Sequence, residues 1–419
     1  MTYIEFFGNN ATENVCSCLS CVPDRVVFVG NNSKLIKKHM AYYQRVFENR
    51  GHHIQFECKS TPRNDVENAV SVLEKLVKEY EDCVFDITGG DELLLMALGI
   101  LRERHPELKL QIHKFNLRGN TIYDCDMDGN TIYRDAPQLT GEEHICIYGG
   151  GIHFGNARDY GTYRWELDEE FIRDIGLMWN TCKQDVRLWN IQTSIFAAVE
   201  ATGEQSEDGL TTTVSIPKVT EYMSTGKIQY RHVMNVVEAL LHDGLLTCFM
   251  EVNGRDFVIS YKNEQVKRCL TKAGQVLEMK VYIAAKQSVD KDGIPVYNDV
   301  LNGVVMDWDG DLREVGDHSR FDTENEIDVF MMHGVIPVFI SCKNGIVTAD
   351  ELYKLNTVAE RFGGEYSQKA LVATALNMQG ASGNHMRQRA KDMHIHLIED
   401  VQNMADEELA WKLGNIWTN

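Results

Sequence analysis

N-E-I-D-V-F-M-M-H-G-V-I-P-V-F-I-S-C-K, from Asn325 to Lys343, is the stretch on which the fold turns. It reads as two short apolar strands, Glu326 to Met332 and Ile336 to Cys342. They are joined by a tight turn at His333 and Gly334, where glycine supplies a positive φ. Side chains alternate across a strand, so Glu326 and Asp328 face one side and Ile327 and Val329 the other. On the second strand Ser341 and Lys343 share a face, and folding the hairpin about Gly334 brings Asp328 beside Ser341. An acid and a lysine then meet at one end of a sheet otherwise built from Ile, Val, Phe and Met, a costly place for charge without partners. A carboxylate can hold a divalent cation against a phosphate oxygen, and a nearby ammonium can orient water or offset developing negative charge. The geometry therefore suits phosphodiester cleavage. On spacing alone, a structural Asp/Lys pair fits equally well.

Upstream, Thr271 opens a segment in which Ala273, Leu277, Val281 and Ala284 recur at helical spacing, and Glu278 rides on the edge of that apolar face. A further strand, Leu301 to Trp308, follows it, and a helix from Ala349 to Arg361 follows Lys343. The order of helix with an inward acid, strand, strand with Asp328 and strand ending in Lys343 resembles the core of the PD-(D/E)xK restriction-endonuclease-like nucleases. That resemblance implies Asp328 as the metal-binding acid, Lys343 as the motif lysine and Glu278 as the first-helix acid. It also implies that Cys342 lends its main-chain carbonyl to an Mg or Mn ion. The chain departs from the motif at Ser341, where an acid is expected. A hydroxyl removes one negative charge, so metal affinity should fall unless Glu278 or Glu326 compensates.

The chain has 419 residues, enough for two or three domains. With 43% hydrophobic and 25% charged residues it has the composition of an ordinary globular protein. Glu5 and the lack of a basic cluster before an apolar run argue against a signal peptide. No apolar stretch is long enough to span a membrane, so a cytosolic chain is expected. Eleven cysteines at irregular spacing fit reduced thiols. The formal charge of −20 argues against tight passive binding to nucleic acid by counterion release. From Thr271 onward, 14 Lys and Arg stand against 23 Asp and Glu. A metal-dependent enzyme tolerates this because bound cations supply local positive charge.

The N-terminal third alternates strand and helix. Val26 to Gly30 leads into a helix ending near Arg50, His53 to Glu57 into Val66 to Tyr80, and Cys83 to Ile87 into Asp91 to Arg104. Such alternation predicts a parallel, Rossmann-like sheet whose ligands sit at the carboxyl ends of the strands, against helix N-termini. Two loops have that character: Gly30, Asn31, Asn32 and Ser33 after one strand, and Thr88, Gly89, Gly90 and Asp91 after another. Neither is a Walker A loop or a dinucleotide fingerprint, which disfavours ATP and NAD. The strand, T-G-G turn and helix resemble the CARF domains of CRISPR-associated proteins, over roughly the first 150 residues. The resemblance implies a bound cyclic oligoadenylate.

Two features of this third imitate metal sites. Asp124 to Asp135 has the acidic spacing of a calcium loop, but G-N-T-I-Y occurs at Gly119 and again at Gly129, so a hairpin turning at Asp128-Gly129 is expected. Cys16, Cys18 and Cys21 crowd together without a second pair at suitable spacing. Glycines from Gly149 to Gly161 mark the end of the first domain, followed by a helical connector. From Val186, a helix to Glu200, a short helix Ile216 to Ser224, a helix Gln229 to His242 and a hairpin turning at Asn253-Gly254 read as a winged helix. Only Lys227, Arg231 and His232 against Glu238 offer charge for DNA, so a spacer or dimerisation role is favoured. Near the C-terminus, Arg387, Arg389 and Lys391 precede His394 and His396, which would share a strand face. Glu351 and Lys354 read as solvated helix surface.

The expected organisation is α/β throughout: a sensor over 1–150, a connector over 151–185, a winged-helix-like region over 186–268 and a nuclease domain over 269–419. That order resembles the CARF-fused ancillary nucleases of type III CRISPR systems. It implies a cytoplasmic homodimer that binds cyclic tetra-adenylate across its two-fold axis and cuts DNA or RNA with Mg or Mn. The alternative is a ligand-responsive DNA-binding regulator with an inactive nuclease fold, which Ser341 keeps open.

Overall fold

The computed structural model describes residues 1–116, 119, 121–126, 130–135, 137–155, 161–224, 233–310, 324–345, 347–375 and 381–418. Its architecture is mixed α/β, with a mostly parallel sheet, a small antiparallel sheet and a mixed sheet.

The first sheet has strands β1 (Thr2–Phe6), β2 (Arg25–Gly30), β3 (Gln55–Ser60), β4 (Cys83–Asp86), β5 (Gln111–Asn116), β6 (Thr121–Asp126) and β7 (Thr131–Asp135), in the order 3-2-1-4-5-6-7. Strands β3 to β5 are parallel, and β6 and β7 add an antiparallel margin. Helices α1 (Cys16–Cys21), α2 (Ser33–Asn49), α3 (Val66–Glu79) and α4 (Glu92–Arg104) join them. The order reverses between β1 and β4, and that switch point is where open α/β sheets form a crevice. Sequence periodicity missed β1, because it carries Glu5, which is fully buried. It also missed α1, whose C-S-C-L-S-C has Leu19 as its only strong helix former. The calcium-like run is β6 and β7 paired antiparallel, while its Asp128-Gly129 turn lies outside the described residues.

A helix α5 (Gly141–Ile147), started by a capping box between Thr140 and Glu143, leads to β8 (Gly151–Ile152). Helices α6 (Glu169–Cys182), α7 (Val186–Thr202), α8 (Ile216–Tyr222) and α9 (Met234–His242) accompany a sheet ordered β11-β12-β10-β9. Its strands are β9 (Glu204–Gln205), β10 (Thr211–Ser215), β11 (Leu246–Val252) and β12 (Asp256–Tyr261). Asn253 and Gly254 have φ of 53° and 65°, the pair of left-handed residues a two-residue hairpin turn requires. Lys227, Arg231 and His232 lie outside the described residues.

The third sheet is ordered β17-β16-β15-β14-β13-β8, with β13 (Asp299–Asp307), β14 (Glu324–His333), β15 (Ile336–Lys343), β16 (Gln368–Ala373) and β17 (Ile395–Ile398). Helices α10 (Glu264–Thr271), α11 (Gln275–Lys286), α12 (Ala349–Phe362), α13 (Ala381–Asp392) and α14 (Asp406–Gly414) flank it. Three expectations shift. Thr271 ends α10 rather than opening a helix, and the chain breaks at Gly274, with φ 81°, before α11. The hairpin pairs His333 with Ile336, so the turn is Gly334-Val335. His394 precedes β17 with φ 53°, so it does not share a strand face with His396.

Helices α2 and α5 join the first sheet to the third. One apolar core runs from Tyr3, Phe28 and Phe47 through Ile145 to Phe330, Phe339 and Phe362. Strand β8 closes the third sheet against β13. Around it, Leu139 N donates to Gly334 O, His144 Nε2 to Phe362 O, and Arg361 to the carbonyls of Tyr148 and Trp308. The chain from α6 to α11 separates these two sheets in sequence, yet they share this core.

Candidate functional site

The β14–β15 ladder is paired as far as Val329 with Ile340. Beyond that point the Asp328 side chain takes over: its Oδ2 accepts from Cys342 N at 2.5 Å and from Ser341 Oγ at 3.2 Å. Both bonds fall on Oδ2. Opposite Asp328, Gly303 on β13 adopts φ 59°, a conformation that favours glycine, and a side chain there would approach Glu326 Oε1. Beside it, Asn302 Nδ2 donates to Asp328 O at 3.0 Å.

Helix α11 is buried along nearly its whole length, so its polar residues have to be satisfied internally. Gln275 Nε2 donates to both Glu278 Oε2 and Asn302 Oδ1, each at 3.1 Å. This chain of amides links Glu278 to the backbone of Asp328. Burial, and then the nearby Asp328 charge, push the Glu278 carboxyl up to about 8. Burial also raises Asp328, against the pull of Lys343 and the Cys342 N–H.

Lys343 Nζ pairs with Glu351 Oε2 at 2.9 Å. Burial lowers its pKa, but Asp328 and Glu351 outweigh it, and the ammonium is held above its ordinary range. Glu351, expected on solvated surface, instead projects from α12 onto Lys343 while Lys354 takes its other oxygen. Glu326 is exposed and turns to Lys272, 2.5 Å from its Oε1; Lys272 also lies 3.9 Å from Glu278 Oε2. Sequence reading missed Lys272, which sits in the break between α10 and α11 where no periodicity reaches. Asp328, Ser341, Cys342, Lys343 and Glu278 thus gather at one end of the hairpin, and Glu326 joins them through Lys272.

A divalent cation fits this donor set. The carboxylates of buried Glu278 and half-buried Asp328 repel one another, and Asp328 Oδ1 accepts none of the bonds that tie Oδ2 to β15. The Cys342 thiol is pushed well above its usual range by burial and by both acids, so it stays protonated and offers no thiolate. Among the described residues, no group of three or more His, Cys, Asp or Glu side chains is placed to hold a metal ion. The side-chain donors are these two carboxylates.

At the other site, the loops after β2 and β4 flank the loop after β1, and Asn31 Nδ2 donates to Asp91 Oδ2 at 3.2 Å. Most of the predicted residues have local duties. Asn32 and Asp91 cap α2 and α4, and Thr88 Oγ1 accepts from Phe115 N. A side chain at Gly30 would crowd Ile36 and Phe7. At Gly89 it would crowd Phe6 O and Gly8 N, and at Gly90, with φ 90°, it would meet Phe6 Cβ at 2.6 Å. Gly89 and Gly90 are therefore required by the close approach of the β1 loop, which sequence reading left out. Arg63 Nε reaches Asn31 Oδ1 at 3.3 Å and adds a cation at the mouth.

No family model and no curated protein sequence matches the chain. Solved structures do. Protein VC1899 from Vibrio cholerae aligns over 100% of this chain and 98% of its own, at 16% identity and a TM-score of 0.70. Can2 from Sulfobacillus thermosulfidooxidans, solved in complex with cyclic tetra-adenylate, aligns over 99% of this chain and 97% of its own, at 15% identity and a TM-score of 0.63. The fold is shared end to end.

Proposed function

We propose that the chain is a nuclease activated by a cyclic oligoadenylate, cyclic tetra-adenylate being the ring, and dependent on Mg or Mn. The observation that carries the catalytic half is buried Glu278 and half-buried Asp328 held beside a charged Lys343, two acids raised by burial and close enough to shift each other. The sensing half rests on the full-length likeness to Can2, whose structure contains that ring. Asp328, fixed by Cys342 N, and Glu278, fixed by Gln275, hold the metal, with the Cys342 carbonyl beside them. A cation held there would neutralise charge at the scissile phosphate and acidify a water. Lys343, steadied by Glu351, orients the attacking water and offsets the charge that develops on the phosphoryl oxygens. The Ser33 and Gly90 loops and Arg63 hold the ring's phosphates at the N-termini of α2 and α4, two protomers facing each other across a two-fold axis. Nucleic acid is the substrate. No helix among the described residues is long and apolar enough to cross a membrane.

The test is cleavage of single-stranded DNA, RNA and supercoiled plasmid, with and without cyclic tetra-adenylate and with Mn, Mg or chelator. Cleavage that needs both ring and metal supports the reading. Ring binding without any cleavage would instead support the ligand-responsive regulator, which Ser341 in place of an acid favours.

A further inference from the structure

One cation at the hairpin has no part in the catalysis proposed above. Lys272 stands in the link between α10 and α11, where Gly274, with φ 81°, turns the chain. Its backbone is tied on both sides: the N–H donates to Arg268 O at 3.1 Å, and the carbonyl accepts from Gln275 N at 3.3 Å. The link thus delivers a flexible four-carbon stem from a fixed point. Nζ lies 2.5 Å from Glu326 Oε1 on β14 and 3.9 Å from Glu278 Oε2 on α11. Gly303 on β13 borders the same spot, where a side chain would stand 3.7 Å from Glu326 Oε1 and 4.0 Å from Lys272 Nζ.

The contact with Glu326 is a half-exposed ion pair, a kind that contributes little to stability. Glu278 is the more telling partner, because its side chain is only 6% exposed. Of the two lysines that favour its ionised form, Lys272 acts more strongly than Lys343. Burial lowers the pKa of Lys272, but the charges of Glu278 and Glu326 outweigh it and the ammonium persists. At 3.9 Å no hydrogen bond joins Lys272 to Glu278, so the ammonium can leave that acid without breaking one. Lys272 also lines a cavity of about 390 Å³ along α10, which gives its side chain room to turn away.

We propose that Lys272 is an internal competitor of the metal ion: its ammonium neutralises Glu278 and Glu326 until a divalent cation displaces it, and it thereby sets the metal concentration at which the centre becomes active. The inference rests on the metal-dependent reading above and deepens it. A divalent ion brings twice the charge and approaches carboxylate oxygens to coordination distance, whereas Lys272 makes one short contact, so metal prevails once its concentration is high enough. The ammonium repels a divalent ion twice as strongly as it repels the proton on Glu278. Removing it therefore favours metal whichever protonation state that acid starts from.

The experiment is isothermal titration of Mn into the full chain as wild type, Lys272→Met and Lys272→Arg, with thermal melts in chelator and in Mn. Methionine keeps most of the stem and removes the charge. Lys272→Met should bind Mn about tenfold tighter than the wild type. Mn should raise its melting temperature by more than it raises that of the wild type, and the Mn concentration for half-maximal cleavage should fall in proportion. Lys272→Arg keeps the charge and should bind Mn no tighter than the wild type. The melt in chelator shows whether each variant folds; Lys272→Gln, neutral but able to donate to Glu326, replaces the methionine variant if that one does not, with the same expectation. A lysine that only steadied Glu326 would leave Mn affinity where it was. Unchanged or weaker Mn binding in the neutral variants, or equal tightening in Lys272→Arg, overturns the proposal and leaves the nuclease reading standing. Failure of Mn to bind wild type and variants alike overturns both.

Discussion

The two sites make opposite uses of polar residues. At the hairpin, Glu278, Asp328, Lys343 and Lys272 are crowded into a half-buried space where neighbouring charges shift one another's protonation, although Asp328 also ties β14 to β15. At the loops after β2 and β4, nearly every predicted residue is already employed in holding the fold, as helix cap, strand bridge or close-contact glycine. Chemistry shows itself as unrelieved electrostatic cost, while a loop that binds through backbone N–H groups looks like any well-made turn. The glycines of these loops are thus evidence about Phe6 and Gly8 first and about a ligand second.

The sharpest break in that comparison comes from the hairpin. Asp328→Ala or Lys343→Ala should lower cleavage on the order of a thousandfold, several kcal/mol of transition-state stabilisation. Calorimetric binding of cyclic tetra-adenylate should be unchanged. Undiminished activity in either variant would reduce the cluster to a structural ion network.

Next in size is a pH effect. Glu278 is raised to about 8, so the folded protein holds that proton up to near pH 8, whereas the unfolded chain releases it in the ordinary carboxylate range. Its contribution to stability is present below the unfolded value and is lost as pH rises through about 8. Metal must displace the proton, so apparent Mn affinity should tighten with rising pH by up to about tenfold per unit and level off above about pH 8. Isothermal titration across that range measures it, and a flat profile would mean that Glu278 is not a ligand.

At the loops after β2 and β4, Arg63→Ala should weaken cyclic tetra-adenylate binding about tenfold without moving the melting temperature, since Arg63 is exposed. Gly90→Ala should do the reverse first, costing ~1–3 kcal/mol of stability through its positive φ and the contact with Phe6. If Arg63→Ala leaves binding untouched, the ring lies elsewhere. The smallest effect is at Ser341. Replacing it by Asp should lower the metal concentration for half-maximal activity a few-fold, because a third carboxylate joins the pair. It should also destabilise the metal-free protein, since the new acid would face Asp328 Oδ2 where Ser341 Oγ now donates. A raised metal requirement would show the position to be filled already.

Alternation in the strands around Asp328 and Lys343, and the strand–loop–helix rhythm of the first third, were legible because burial on one face imposes a period. What escaped did so for physical reasons. Strand β1 hides behind a buried Glu5 that violates hydrophobic patterning. Lys272 lies in an irregular link, where spacing carries no information. Glu351 has the sequence context of a solvated helix residue, and only the packing of α12 beside β15 turns it onto Lys343.

The core shared by the first and third sheets makes the chain hard to take apart. Cutting it near residue 150 would strip β8 from β13 and lay bare the faces that Phe28, Ile145, Phe330 and Phe362 now hide from water. A sensor grafted from elsewhere would have to bring a matching apolar surface with it. Exchange of modules, the usual route by which two-part proteins acquire new inputs, is closed here unless both halves change together.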